Sequence, residues 1–243
     1  MFEPDLLSLV KGGPEGRRRF LDSALCQVYR PYLVALRRYT RLVAQKNALL
    51  KSYEITPNAS LLLDAYNEQL AQYGGQIMEH RRKFIAELAP IAAKNYSEIS
   101  HDAEVLQLNY QLCANNTTAD ALAEKLESVK NAELRAGFCL AGPHREDLEI
   151  KLDDQPARVF GSQGQQRSCV LAMKLAEASV VGSLFGEHPV LLLDDVLSEL
   201  DEGRKQYLLT RMKEKQTFVT SCDDTAFLKT DGEVYRMNGG VLS

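Results

Sequence analysis

Apolar residues return every three or four positions through the first part of the chain, at Phe20, Ala24 and Val28, then at Leu33, Leu36, Val43 and Leu50. That spacing is one face of an α-helix. Pro31 breaks or restarts the helix, because proline lacks the amide that a helix interior needs. Pro57-Asn58 interrupts it again, and Asn58 or Ser60 is placed to cap the next helix. A long amphipathic stretch then runs from Leu61 to about Ile99, with Gly74-Gly75 inside it as a point of bending. Its charged residues, including Arg81, Arg82 and Lys83, are expected on one exposed face. Residues 116–134 predict a further helix, capped by Thr117 or Thr118.

The period changes near Arg135. Gly137-Phe138-Cys139-Leu140 predicts a short strand, ended by Gly142-Pro143. Leu148-Glu149-Ile150-Lys151-Leu152 alternates with period two, as a half-buried strand does. Asp153-Asp154 turns the chain into Ala157–Phe160. From Gln163 to about Phe185 nearly every position is apolar except a side marked by Arg167, Lys174 and Glu177, which predicts a helix buried over most of its surface. A strand at 189–194, a helix around 201–213 and a strand at Thr217–Thr220 follow, and Gly232–Val241 suits a small hairpin. Alternating strands and helices predict an α/β layer with parallel strands. The expected fold is therefore α/β: a helical lobe over 1–134 and an α/β lobe over 135–243.

Composition fits a soluble globular protein, at 45% hydrophobic and 26% charged residues. The sequence has no run of about 18 apolar residues, which argues against a membrane span. The five cysteines are scattered without a Cys-x-x-Cys pair, and the acidic N-terminus lacks a signal pattern; both favour reduced core thiols in a cytoplasmic protein. Net charge is −4, but residues 1–51 hold ten Lys/Arg against four Asp/Glu. That local +6 leaves −10 for the remainder. It marks a nucleic-acid face, two mutually attracting lobes or a solvated helix surface.

The chemistry concentrates between Phe160 and Asp201. Ser162-Gln163-Gly164-Gln165-Gln166 opens the buried helix: a hydroxyl, a glycine that admits close approach and a helix N-terminus suit a phosphate, and also suit a plain N-cap. The strand ends in Asp194-Asp195, where a carboxylate can hold Mg²⁺ and its neighbour can polarise a water. Ser198-Glu199-Leu200-Asp201 follows at once. Together these form the second half of an ATPase site. The first half, a Gly-x-x-x-x-Gly-Lys-Ser/Thr loop, is not among the 243 residues. Arg37, Arg38 and Arg41 lie on adjacent turns of one helix, and Arg81 and Arg82 form a second basic cluster.

Ser162–Gln166 resembles an ABC-type signature, Asp194-Asp195 a Walker B motif and Ser198–Asp201 a D-loop. Their wording is similar to that of the RecF family of recombinational repair ATPases, relatives of SMC proteins. So are Pro4–Pro14, Arg18–Asp22, Leu63–Leu70 and Gly142-Pro143-His144-Arg145-Glu146-Asp147. The resemblance covers essentially the whole chain, which looks like a RecF without its first third and its Walker A loop. It implies an ATP- and Mg²⁺-dependent homodimer that clamps double-stranded and gapped DNA, works with RecO and RecR, and helps load RecA in repair, replication and the SOS response. It gives Ser162, Gln163, Gly164 and Gln165 to nucleotide bound by the opposing subunit, Asp194 to Mg²⁺, Asp195 to catalysis, Ser198 and Asp201 to the D-loop. DNA contact by Arg37, Arg38, Arg41, Arg81 and Arg82 is the accompanying expectation, with His144-Arg145 serving either a phosphate or an ion pair with Glu146 or Asp147. A transporter-type ABC ATPase and a non-enzymatic dimerisation or DNA-interaction module are the competing readings.

Overall fold

The computed structural model describes residues 7–212, 215–222, 232–238 and 240–242, and only the backbone of Ser198, Glu199, Asn238 and Leu242. Pro4–Leu6 of the family-like N-terminal segment lies outside the described residues.

A short helix α1 (Ser8–Lys11) leads into α2 (Pro14–Val28) and α3 (Arg30–Lys51). Pro14 is the first residue of α2 and Pro31 the second of α3, each in a first turn whose amides have no intrahelical acceptor. Pro31 therefore restarts the helix. Asn58, in a left-handed conformation at φ 56°, precedes α4 (Ala59–Ser100), a single helix of 42 residues. Gly74-Gly75 does not interrupt it. These glycines make room for α5 (Ala119–Ala136): a Cβ on Gly74 would lie 2.4 Å from Leu122 Cδ2, and one on Gly75 2.9 Å from the Ala119 amide nitrogen. Thr118 caps α5 by accepting from the Ala121 amide.

Strand β1 (Leu106–Gln111) pairs antiparallel with β2 (Asp147–Leu152), Leu106 opposite Leu152, and β2 turns through left-handed Asp153-Asp154 into the short β3 (Gln155–Pro156). Gly137–Leu140 is not a strand. Its backbone donors go to side chains on two helices, the Cys139 amide to Asn47 Oδ1 (2.6 Å) and the Leu140 amide to Glu133 Oε1 (2.8 Å). With those amides taken, there is no ladder to join. Ala157–Phe160 forms a single helical turn, α6, before α7 (Gln163–Phe185). Strand β4 (Leu191–Asp194) runs parallel to β5 (Thr217–Thr220), with α8 (Glu202–Met212) as the crossover, and β6 (Met237–Asn238) pairs with β7 (Val241–Leu242) as the expected hairpin.

The core is continuous from Leu9 and Val10 through α2, α3, α4 and β2 to Val180 on α7. Both this core and the β1–β2 ladder cross the 134/135 division expected from sequence. Lys46 on α3 and Glu133 on α5, both fully buried, form an ion pair at 2.6 Å. Helix α7 has the length and hydropathy to cross a membrane, but 61% of its apolar window is packed inside the protein. Burial pushes the Cys139 thiol up to about 11 and those of Cys113 and Cys169 up to about 12, so these three stay protonated near neutrality. Cys139 and Cys169 are core thiols as expected, whereas Cys26 and Cys113 are half-buried and Cys222 is exposed.

Candidate functional site

The turn at the start of α7 is built by reciprocal bonds. Ser162 Oγ accepts from the Gln165 amide, and Gln165 Oε1 accepts from the Ser162 amide, forming a capping box. A cap of this kind stabilises a helix by about 1 kcal/mol. Accepting that bond leaves the Ser162 hydroxyl proton for another acceptor. The first-turn amides at Gln163 and Gly164 are orphan donors at the positive end of a helix of 23 residues. Gln165 Nε2 also reaches Glu104 Oε1 (2.6 Å), and Glu104 accepts from Tyr96 OH (2.9 Å), which fixes the turn against the end of α4. Glu104 carries no motif, and only the tertiary structure brings it to the turn.

Asp194 and Asp195 stand at the carboxyl end of β4, the edge where open α/β sheets place ligands. Thr220, at the matching end of β5, orients both: its hydroxyl donates to Asp194 Oδ1 (2.7 Å), and its hydroxyl and carbonyl oxygens lie 3.1 Å from the Asp195 amide. Asp195 is left-handed, at φ 49°. That uncommon backbone turns the chain sharply from the strand into the 3₁₀ turn Val196–Glu199. Ser198 lies on this turn, with its side chain outside the described set. Asp201 caps α8 by accepting from the Arg204 amide (2.9 Å), and its carboxylate forms a close ion pair with the Arg204 guanidinium. Arg204 Nε donates in turn to Ser168 Oγ (2.7 Å) on α7. The structure therefore joins Asp201, at the start of α8, to α7, while Asp194 and Asp195 are held from β5.

The basic residues divide. Arg37, Arg38 and Arg41 are exposed on α3, and Arg38 donates to Tyr73 OH (2.9 Å) and lies over its ring. Arg82 is exposed on α4 in a bidentate pair with Glu79, at 2.7 and 2.9 Å. That bond, with a second from Thr117, holds the Glu79 carboxyl down at about 2. Arg81 corrects the expectation of a DNA contact on an exposed face: it is 2% exposed. Its guanidinium reaches Asp22 Oδ1 (2.7 Å), Tyr32 OH (3.1 Å) and the Pro143 carbonyl (2.8 Å), so every face is taken by protein.

The Gly142–Asp147 segment is the other half of that junction. Asp147 pairs with Arg17 Nε (2.7 Å), the Glu146 carbonyl accepts from Arg18 (2.8 Å), and Glu146 Oε1 accepts from the Cys113 amide (3.1 Å). His144 Nδ1 lies 2.7 Å from Tyr39 OH, and burial lowers its pKa to about 4. Arg145 donates to the Cys139 carbonyl (2.9 and 3.2 Å) and stacks over Phe138. Neither of the two expected roles for Arg145, phosphate binding or pairing with Glu146 or Asp147, matches these bonds. Arg145 fastens the 138–141 segment to the segment that follows it.

The chain is similar to several known proteins, although no family model matches it. It is 40% identical to the DNA replication and repair protein RecF of Symbiobacterium thermophilum, over 100% of this chain and 67% of that protein. It is 38% identical to the RecF of Staphylococcus aureus, over 100% of this chain and 69% of that protein. Among solved structures, it matches the recombination mediator protein RecF with ATP from the RecFOR pathway at a TM-score of 0.87 and 31% identity, covering 100% of this chain and 66% of the other. The Smc head domain of Pyrococcus furiosus matches at a TM-score of 0.50 and 15% identity, which extends the fold likeness to the ABC-type heads of SMC proteins. The chain spans about two thirds of the length of its RecF relatives. A capped signature turn and a carboxylate pair on a parallel strand are thus found in a chain alike from end to end to these proteins, and the chain belongs to the RecF family.

Proposed function

We propose that this chain contributes the signature, Walker B and D-loop portion of a cytoplasmic, RecF-type ATP-dependent DNA-binding protein of recombinational repair, replication and the SOS response. In this reading two copies dimerise around ATP, grip double-stranded or gapped DNA, and assist RecA loading together with RecO and RecR. One observation carries it: the Ser162–Gln165 turn keeps a hydroxyl proton and two first-turn amides directed out of a helix N-terminus, beside a glycine with no Cβ. These donors fit the γ-phosphate of a nucleotide held mainly by the opposing subunit. Asp194, braced by the Thr220 hydroxyl, fits a carboxylate ligand of Mg²⁺, and Asp195 fits the group that orients the attacking water. The chemistry supplied by the nucleotide, when bound, is a γ-phosphoryl group for transfer to that water. In-line positioning then falls to the Ser162 hydroxyl, the α7 amides and Asp195.

A second reading has one observation in its favour. The 243 residues hold no Gly-x-x-x-x-Gly-Lys-Ser/Thr loop. Without it the chain by itself acts as a dimerisation and DNA-contact module.

The DNA arm of the proposal is tested by fluorescence anisotropy with a labelled gapped duplex across a salt series. Wild type is compared with Arg37, Arg38 and Arg41 changed together to Ala. Each phosphate contact contributes about −0.9 to the log–log salt slope on duplex. Loss of three contacts should weaken binding and flatten the slope by about 2 to 3. An unchanged slope would show these arginines to be a solvated helix face.

A further inference from the structure

Arg204 carries more bonds than capping requires. Asp201 already caps α8 through the Arg204 backbone amide (2.9 Å), a bond that any residue at position 204 except proline can supply. The guanidinium goes elsewhere. It pairs with the Asp201 carboxylate and donates from Nε to Ser168 Oγ (2.7 Å). Ser168 Oγ donates onward to the Gly164 carbonyl (3.2 Å). Arg204 Nη2 lies 3.2 Å from the point where a Cβ on Gly164 would stand. The series Asp201–Arg204–Ser168–Gly164 thus runs from the D-loop to the signature glycine without passing through the intervening chain.

The placement is electrostatically unusual. The guanidinium lies near the N-terminal turns of both α7 and α8, where the helix macrodipoles disfavour a cation. The Asp201 carboxylate offsets that penalty. An arginine kept where both helix ends oppose it points to a task for its planar fork, which meets two partners at fixed geometry.

We propose that Arg204 is a positioning residue that fastens the D-loop to the signature turn, making the two one mechanical unit. An anion arriving at the Ser162 turn would then be felt at Asp201, and a contact made by Asp201 across a dimer would be felt at the turn. The functional consequence rests on the nucleotide reading of that turn; the fastening itself does not.

The test is amide hydrogen exchange, read by mass spectrometry on peptides spanning 161–168 and 195–203 of the chain. The variants are Arg204→Ala, Arg204→Lys, Asp201→Asn and the double variant Asp201→Asn/Arg204→Ala. Asp201→Asn keeps an oxygen able to cap α8 while removing the charge that holds the guanidinium. Arg204→Ala should raise exchange in both peptides by about tenfold, and Asp201→Asn should raise it in 161–168 although it sits on the other element. The double variant should add little to either single change, the signature of coupled residues. Arg204→Lys, a single point charge, should restore one link but not both. Unchanged exchange at 161–168 in Asp201→Asn, or additive effects, would overturn the proposal. Should Arg204→Ala fail to fold, Asp201→Asn and Arg204→Lys decide it. Adding inorganic pyrophosphate to wild type separates the two readings: intact coupling with no response to pyrophosphate would overturn the nucleotide reading alone.

Discussion

At the scale of single residues, the motif-free positions bear as much weight as the motifs. Arg81 satisfies Asp22, Tyr32 and Pro143 at once, in a site that is almost fully enclosed. Changing it to Leu removes the cation beside the fully buried Glu146 carboxylate (3.9 Å) as well as the half-buried Asp22, and removal of one partner of a buried pair costs about 3–5 kcal/mol. Urea unfolding of Arg81→Leu should give an unfolding free energy lower by that amount, against a change under 1 kcal/mol for Arg82→Leu, whose pair with Glu79 is on the surface. His144 makes a pH-dependent contribution. Burial depresses its folded pKa to about 4, below the ordinary 6.5. The unfolded chain therefore binds more protons between those values, and stability is full above pH 6.5 and falls as pH drops towards 4. The loss should reach about 3 kcal/mol. Comparing unfolding free energies of wild type and His144→Gln at pH 7 and pH 5 isolates it; parallel pH profiles would remove His144 as the cause.

At the scale of elements, Gly74-Gly75 shows why a helix can be legible in sequence while its packing is not. In an exposed helix Gly→Ala stabilises by about 1 kcal/mol. At Gly75 the new methyl would meet the Ala119 backbone at 2.9 Å, and backbone cannot swing aside. Gly75→Ala should therefore lower the thermal midpoint, with a cost of about 1–3 kcal/mol; a raised midpoint would mean α5 can retreat. The same contrast runs through the fold. Helix α7 and the parallel β4–β5 pair follow from their own periodicity, and Pro31 and Thr118 act by local rules. Strand β1 has too short an alternation to stand out, and it exists because β2, some 40 residues later, supplies its partner. Gly137–Leu140 has strand-like residues but spends its amides on Asn47 and Glu133. The site divides likewise: Ser162, Asp194 and Asp201 announce themselves by spacing, whereas Glu104, Arg204 and Thr220 become part of it only through tertiary contact. The basic excess of residues 1–51 is partly consumed inside the protein, by Lys46 with Glu133 within the expected first lobe and by Arg17 with Asp147 across the expected division, so attraction between the lobes accounts for the second pair and not the first.

At the scale of the whole molecule, the proposed function makes a prediction, because positioning dominates phosphoryl transfer and no Gly-x-x-x-x-Gly-Lys-Ser/Thr pattern occurs in the 243 residues. Steady-state assays of the chain by itself should give no Mg²⁺-dependent ATP hydrolysis, with or without DNA. Robust turnover abolished by Asp195→Asn would overturn that prediction. The architecture also has a consequence for how movement would spread. Helix α4 packs on α7 and α8 towards one end and carries α3 and α5 along its length. At 1.5 Å per residue its 42 residues make a rod of about 63 Å. A rocking of only about 10° at the α7 end would sweep the far end through about 11 Å, roughly three base-pair steps of duplex. Pro90 leaves one carbonyl of the rod without its usual amide partner, and the helix continues through it. On the proposed function, Ångström-scale rearrangements at the α7 end would emerge at the other end of α4 as displacements on the scale of a DNA grip.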